Sequence, residues 1–83
     1  EIILSGCSSD RYELRTFSSR GFQGINTRII INGNSQKVNH RQNIDKVLYF
    51  NDIIPTKNDE IVIQIIPEDG SAAVINLIEI IEK

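Results

Sequence analysis

Residues 60–66 read Glu-Ile-Val-Ile-Gln-Ile-Ile, and five of these seven side chains are β-branched. Ile61, Ile63 and Ile65 recur at every second position, which places them on one face of an extended strand. Some apolar residues of this stretch also fit helical spacing. The segment is nevertheless short for a helix, and β-branched side chains favour a pleated surface. We therefore predict a β-strand here.

The composition of the whole chain supports the same secondary structure. Its 83 residues include 17 Ile, 4 Val and 3 Thr but only 2 Ala. Ala is the best helix former, and the β-branched residues are enriched in strands. No segment is long enough and helical enough for a parallel crossover connection, so antiparallel pairing is expected.

Seven short strands are predicted along the chain. They span residues 2–4, 11–17, 26–31, 36–39, 46–50, 60–66 and 73–81. Asn32-Gly33 is a strong hairpin signal between the third and fourth strands, and residues 68–71 are predicted to form a hairpin loop before the last. The last segment also fits helical spacing, although we expect a strand. The fold class is therefore all-β: an antiparallel two-sheet sandwich of jelly-roll or immunoglobulin-like type.

The length of the chain predicts a single domain over residues 1–83. Cys7 is the only cysteine, so an internal disulfide is excluded, and we expect its thiol to be a partly buried filler. The chain starts at Glu1 and contains no Met. We expect it to be a module excised from a larger protein.

Charge and hydropathy argue against two classes of partner. The net charge is −2, with acidic and basic residues interspersed, whereas a nucleic-acid-binding face is basic. No run reaches the roughly 18 apolar residues that a membrane helix requires. We expect neither nucleic-acid binding nor membrane insertion.

Few side chains could support catalysis. His40 is the only histidine, and its polar neighbours predict a solvated loop residue. No Gly-x-Ser-x-Gly motif presents a nucleophile, and the acidic residues near the loops are too sparse to predict a calcium site. We therefore predict no catalytic residue, no metal, no cofactor and no enzymatic activity.

The order of short motifs along nearly the whole chain resembles a known family. The motifs are Ile3-Leu4-Ser5-Gly6, Tyr12-Glu13-Leu14, Phe17-Ser18-Ser19-Arg20, Asn32-Gly33, the Asn39…Asn43 loop, Val47-Leu48-Tyr49-Phe50, Ile54-Pro55, Glu60-Ile61-Val62-Ile63 and residues 73–80. They resemble the C-terminal part of a galactose-binding-like jelly-roll module. Such modules accompany esterases of the SGNH/GDSL type and other carbohydrate-active enzymes in secreted bacterial proteins.

This resemblance implies an accessory module rather than an enzyme, from which the N-terminal strands of the family are missing. The chain departs from the family pattern at three places. Cys7 stands where Leu is usual, Asp59-Glu60 where Gly is common, and Leu77 where a small residue follows Asn76. A ligand site built partly from the missing strands would be incomplete in this chain.

Sugar binding requires an aromatic platform together with groups that bond hydroxyls. Phe22 lies in a glycine-containing loop beside Arg20, and this pair is the predicted platform; the alternative is that Phe22 folds back over the core. Asn39 and Asn43 are further candidate ligand groups, although loop asparagines often bond their own backbone. Tyr12 and Phe50 are expected in the core.

We therefore expect a non-catalytic accessory module of a secreted bacterial protein, with carbohydrate as its candidate ligand. The alternative is a fibronectin III-like or immunoglobulin-like spacer or protein-interaction domain without a small ligand. The expected partners are a carbohydrate or a catalytic domain of the same polypeptide. An open edge strand would also allow dimerisation. The expected location is outside the cell, on its surface or in the periplasm.

Overall fold

A computed structural model describes residues 1–21, 26–41, 43, 45–68 and 73–83. This part of the chain forms seven β-strands and no helix, so the predicted all-β fold is confirmed. The strands are β1 (Ile2–Leu4), β2 (Tyr12–Phe17), β3 (Asn26–Ile31), β4 (Asn34–Asn39), β5 (Val47–Ile53), β6 (Ile61–Pro67) and β7 (Leu77–Glu82). Within the described ranges there is no helix with the length and apolar character needed to cross a membrane.

The strands form two antiparallel sheets. One sheet has the order β1-β6-β3-β4 and the other the order β5-β2-β7. The chain changes sheet at five of its six connections, and only β3 and β4 are a sequential hairpin. An immunoglobulin constant-type domain instead has its first two strands side by side in one sheet. The structure is thus a β-sandwich with a different strand order.

The prediction of a hairpin between the last two strands is wrong. β6 lies in the four-stranded sheet, whereas β7 pairs with β2 in the other sheet, with Thr16 opposite Ile78 and Arg15 opposite Glu79. The connection therefore crosses between sheets. Strand β7 also begins later than predicted, at Leu77. The preceding Asn76 N–H is donated to the Phe17 carbonyl at 2.9 Å, out of the register in which Phe17 pairs with Leu77.

The predicted turn between β3 and β4 is confirmed in detail. Asn32 and Gly33 have φ values of 45° and 86°, and Ile31 pairs directly with Asn34. Positive φ at both central positions is the requirement of a type I′ turn, whose twist matches that of the flanking strands. The sequence signal and the backbone geometry therefore agree.

Strand β5 continues three residues beyond its predicted end because it contains a bulge. Tyr12 and Leu14 of β2 face Ile53 and Phe50 of β5, so one extra residue is accommodated in β5. Asp52 has φ of 57°, a conformation that fits such an irregularity. The bulge returns Ile53 to the inner face of the sandwich.

The core lies between the two sheets and takes side chains from both. β2 and β5 contribute to it from one sheet, and β3 and β6 from the other. The buried residues are Tyr12, Leu14, Ile29, Ile31, Phe50, Ile53, Ile61 and Ile63. The expectation that Tyr12 and Phe50 belong to the core is confirmed, and half-buried Cys7 packs against the same cluster. Alternating burial along β3 and β6 leaves the opposite faces of the sheets available to solvent.

Candidate binding face

Three of the four predicted ligand residues lie around one loop. The backbone N–H groups of Arg20 and Asn43 are donated to the His40 carbonyl at 2.8 Å and 3.4 Å, and Asn39 precedes His40 directly. Phe22, the predicted aromatic platform, lies outside the described residues. The structure therefore brings Arg20, Asn39 and Asn43 together and leaves the platform itself as a prediction.

The amide of Asn43 is used by the protein itself. Its Nδ2 is donated to the carbonyls of Ser18 and Lys46, both at 2.9 Å, and its Oδ1 accepts the Lys46 N–H at 2.8 Å. The exposed Asn39 accepts the Arg41 N–H at 3.0 Å. These contacts favour the alternative in which the asparagines shape the loop.

The expectation of a solvated His40 is wrong, since its side chain is fully buried. Its Nδ1 lies 2.7 Å from the hydroxyl of Thr27, which also accepts the Val74 N–H at 3.1 Å. His40 follows buried Val38 by two positions, so it continues the inward face of β4. The two-residue spacing between Val38 and His40 could have predicted this burial. The polar neighbours of His40 in the sequence instead favoured a solvated loop residue.

Asn76 lies outside β7, although the strand predicted for residues 73–81 includes it. It is exposed and precedes β7, and its Oδ1 accepts the Ser19 N–H at 2.6 Å. Asn76 thus fixes the entry into β7 against the end of β2.

The outer face of the three-stranded sheet carries a second group of side chains, which is absent from the predicted site. We call it the Tyr49 face. Phe17 on β2 lies between Val47 and Leu77, and Arg15 lies between Tyr49 and Glu79. The members of the Tyr49 face are Arg15, Phe17, Val47, Tyr49, Leu77 and Glu79. They surround a surface depression of about 210 Å³.

Arg15 lies at the centre of the Tyr49 face and contacts residues on either side. Its Nε is donated to Glu13 at 2.7 Å and its Nη1 to Glu79 at 3.1 Å. The guanidinium carbon lies 5.5 Å from the centroid of the Tyr49 ring, within the range of a cation–π contact. The hydrogen bond with Glu13 raises the pKa of Arg15. The guanidinium is therefore held in one orientation beneath a half-exposed aromatic ring.

Two features of the sequence could have indicated this face. Tyr49 and Phe50 are adjacent in a strand, so one of the two aromatic rings must point away from the core. Phe17 and Arg15 have the same parity in β2, opposite to that of the buried Leu14. Neither feature shows which strands lie next to β2. The other members of the face can be identified only once β2 is known to pair with β5 and β7.

Glu13 supports Arg15 from the next position of the same face. The Glu13 side chain is almost completely buried. Its carboxylate also forms an ion pair with Lys83, whose Nζ lies 3.2 Å from Glu13 Oε1. The hydrogen bond from Arg15, followed by that from Lys83, lowers the pKa of Glu13 below its usual value of 4.5. The carboxylate is thus stabilised in its ionised form in the folded chain.

This shift predicts an acid-dependent loss of stability. Because the pKa of Glu13 is lower in the folded than in the unfolded chain, its contribution is complete above pH 4.5 and is lost as the pH falls through the folded value. The urea midpoint of wild type should therefore fall between pH 5 and pH 3 more than that of Glu13→Gln. Exposed Glu82→Gln is the control and should keep the wild-type slope. Equal slopes for wild type and Glu13→Gln would contradict the assignment.

The described part of the chain brings no three His, Cys, Asp or Glu side chains together in an arrangement that could hold a metal ion. A further surface depression of about 330 Å³ lies between Asp10, Arg11, Asp52 and Lys83. Arg11 and Asp52 form an ion pair there at 3.6 Å, and both side chains are mostly exposed. This depression lacks an aromatic residue, so the Tyr49 face is the stronger candidate for binding a ring-shaped ligand.

Comparison of the chain with protein-family models, with curated proteins and with solved structures found no match in any of the three.

Proposed function

We propose that this domain is a non-catalytic binding module that holds a carbohydrate on the Tyr49 face. The observation that carries the proposal is the Tyr49 ring, which is 52% exposed and lies over a charged residue fixed by two carboxylates. An aromatic ring on the outside of a sheet forms a platform at small conformational cost, because the strand already fixes its backbone.

The chemistry of the face suits a sugar ring. The apolar C–H face of a pyranose would stack on the free side of Tyr49, while Phe17 and Leu77 would cover its edge. The guanidinium of Arg15 supplies donors and the carboxylate of Glu79 supplies acceptors for hydroxyl groups. A ligand with both an apolar face and a hydroxyl rim would satisfy all of these groups together.

The wider biological role follows from the motif resemblance and is proposed on that basis. A module of this kind would belong to a secreted bacterial protein, located outside the cell, on its surface or in the periplasm. It would accompany a catalytic domain of the same polypeptide and deliver that domain to a polysaccharide.

A glycan array with three proteins tests the proposal. Wild type should bind a defined set of glycans, and Tyr49→Ala should lose about tenfold or more in affinity, equivalent to about 1.4 kcal/mol of lost stacking. Phe22→Ala serves as the comparison for the loop site and should keep wild-type binding. Loss of binding in Phe22→Ala with retention in Tyr49→Ala would instead place the ligand at the loop near Arg20 and Asn39.

The apolar half of the Tyr49 face supports a second candidate function. Leu77 is 64% exposed and forms a continuous row with Phe17 and Val47 across three strands. Such a row would suit a flat protein surface, as expected for a spacer or interaction domain. In that case the wild type would bind no glycan, and Leu77→Asp would weaken its association with the neighbouring domain of the parent polypeptide.

A further inference from the structure

The four edge strands of the sandwich differ in how well they are protected against pairing with another chain. β1 has only three residues, and β4 has the polar sequence Asn-Ser-Gln-Lys-Val-Asn. β5 contains the bulge near Asp52, and its Tyr49 carbonyl accepts the side-chain amide of Gln36 at 2.6 Å. Short length, polar or charged residues and bulges are the common means of preventing edge-to-edge association. These three edges are therefore protected.

Strand β7 is the least protected of the four edges, since its charged residues are limited to Glu79 and Glu82. It has six residues, Leu-Ile-Glu-Ile-Ile-Glu, without proline, lysine or a register shift. Within the described residues it pairs with β2 alone. A mostly apolar edge of this length, without a bulge or a proline, is a template for another strand.

The hydrogen-bonding pattern shows which groups of β7 face the open edge. The Lys83 N–H is donated to the carbonyl of Arg11, its direct partner in the register, at 3.1 Å. Hydrogen-bonded pairs alternate along an antiparallel ladder, so residues 77, 79 and 81 also direct their backbone groups toward β2. The N–H and C=O groups of Ile78, Ile80 and Glu82 consequently point away from the sheet.

At Ile80 both the backbone groups and the side chain are accessible at the edge of the sheet. It lies opposite buried Leu14 and therefore on the inner face of the sheet, yet it is 43% exposed because no further strand of the described ranges lies beside it. An inward-pointing charge at such a position would deter pairing, and the chain has isoleucine there.

We propose that β7 pairs antiparallel with β7 of a second copy of this chain, with Ile80 directly opposite Ile80 of that copy. A two-fold axis perpendicular to the sheet requires a register in which opposite residues share a face. In this register Glu79 lies opposite Ile81 and Glu82 opposite Ile78, so no like charges lie directly opposite each other. Moving the two-fold axis by one residue slides the strands by two residues; in one direction this places Glu79 opposite Glu79, and in the other it shortens the overlap.

The dimer has a structural consequence for the Tyr49 face. The two three-stranded sheets would join into one six-stranded sheet, and the Tyr49 faces of both copies would lie on the same side of it. Leu77 of one copy would then lie opposite Lys83 of the other. The pairing itself depends on the edge of β7 and does not require that the Tyr49 face bind a sugar.

Sedimentation velocity over a range of protein concentrations tests the association. Wild type should sediment as a dimer that dissociates on dilution, whereas Ile80→Lys should remain monomeric with an unchanged far-ultraviolet spectrum. Ile54→Lys, which changes an exposed isoleucine away from β7, is the matched control and should dimerise like wild type. A wild type that is monomeric at every concentration would overturn the proposal, as would dimerisation of folded Ile80→Lys.

Disulfide cross-linking tests the register independently in a Cys7→Ser background. Residues 79 and 81 form a non-hydrogen-bonded pair in the proposed register, where their β-carbons lie closest. A mixture of Glu79→Cys and Ile81→Cys should therefore cross-link efficiently. Efficient cross-linking of Glu79→Cys alone, or of Ile81→Cys alone, would indicate one of the shifted registers and contradict the proposed one.

Discussion

Replacement of Phe50 with alanine is expected to destabilise the domain by about 3–5 kcal/mol, because the ring is fully buried between the two sheets. A domain of 83 residues has a total stability of roughly 4–12 kcal/mol. Phe50→Ala should therefore be partly or wholly unfolded at 37 °C. Urea denaturation followed by circular dichroism measures the loss.

The neighbouring residue provides a matched control for this prediction. Tyr49 precedes Phe50 in β5 but points to the outer face, where half of its surface is exposed. Tyr49→Ala removes a half-exposed ring and its contact with Arg15, and should change stability by less than about 1 kcal/mol. Similar losses in the two variants would show that the assignment of inner and outer faces in β5 is incorrect. If Tyr49→Ala keeps its stability, its loss of glycan binding can be attributed to the missing ring and not to unfolding.

Replacement of Asn32 with alanine is expected to cost about 2–4 kcal/mol for two separate reasons. The first is its φ of 45°, which alanine adopts only with strain. The second is a set of side-chain bonds: Nδ2 is donated to the carbonyls of Ile54 and Glu60 at 2.9 Å and 3.2 Å, and Oδ1 accepts the Val62 N–H at 2.8 Å. Asn32 thus connects the β3–β4 turn to the segment that leads into β6.

A glycine variant separates the two contributions. Asn32→Gly accommodates positive φ but lacks the side-chain bonds, so it should lose about 1–3 kcal/mol, less than Asn32→Ala. Asn34→Ala, at the exposed start of β4, should lose less than either, and all three free energies of unfolding can be measured by urea denaturation. Equal stability of Asn32→Ala and wild type would contradict the role assigned to Asn32.

The strand content and the local pairing could be predicted because they depend on short-range chemistry. The alternation of Ile61, Ile63 and Ile65 fixes the buried face of β6, and Asn32-Gly33 fixes the turn and register of its hairpin. These signals act over two to six residues. They predict all seven strands and the inward positions of Tyr12 and Phe50. They also indicate that no segment is long and helical enough for a parallel crossover connection.

The candidate site could not be predicted in the same way, because it depends on contacts between distant parts of the chain. The Tyr49 face exists only because β5 and β7 flank β2. No local sequence pattern shows that β7 pairs with β2 in one sheet while β6 belongs to the other. Burial of His40 likewise depends on Thr27 and on the segment near Val74. The residues selected from the sequence were loop residues, whereas the assembled aromatic and charged group lies on a sheet.

Backbone amide NMR most directly tests the claim that the outer face of the three-stranded sheet is the recognition surface. The domain would be titrated with the glycan that gives the strongest signal on the array. We predict chemical-shift changes at residues 13–17, 47–49 and 77–79, with little change at residues 39–43. Changes confined to the 39–43 loop, or no saturable change with any glycan tested, would contradict the account.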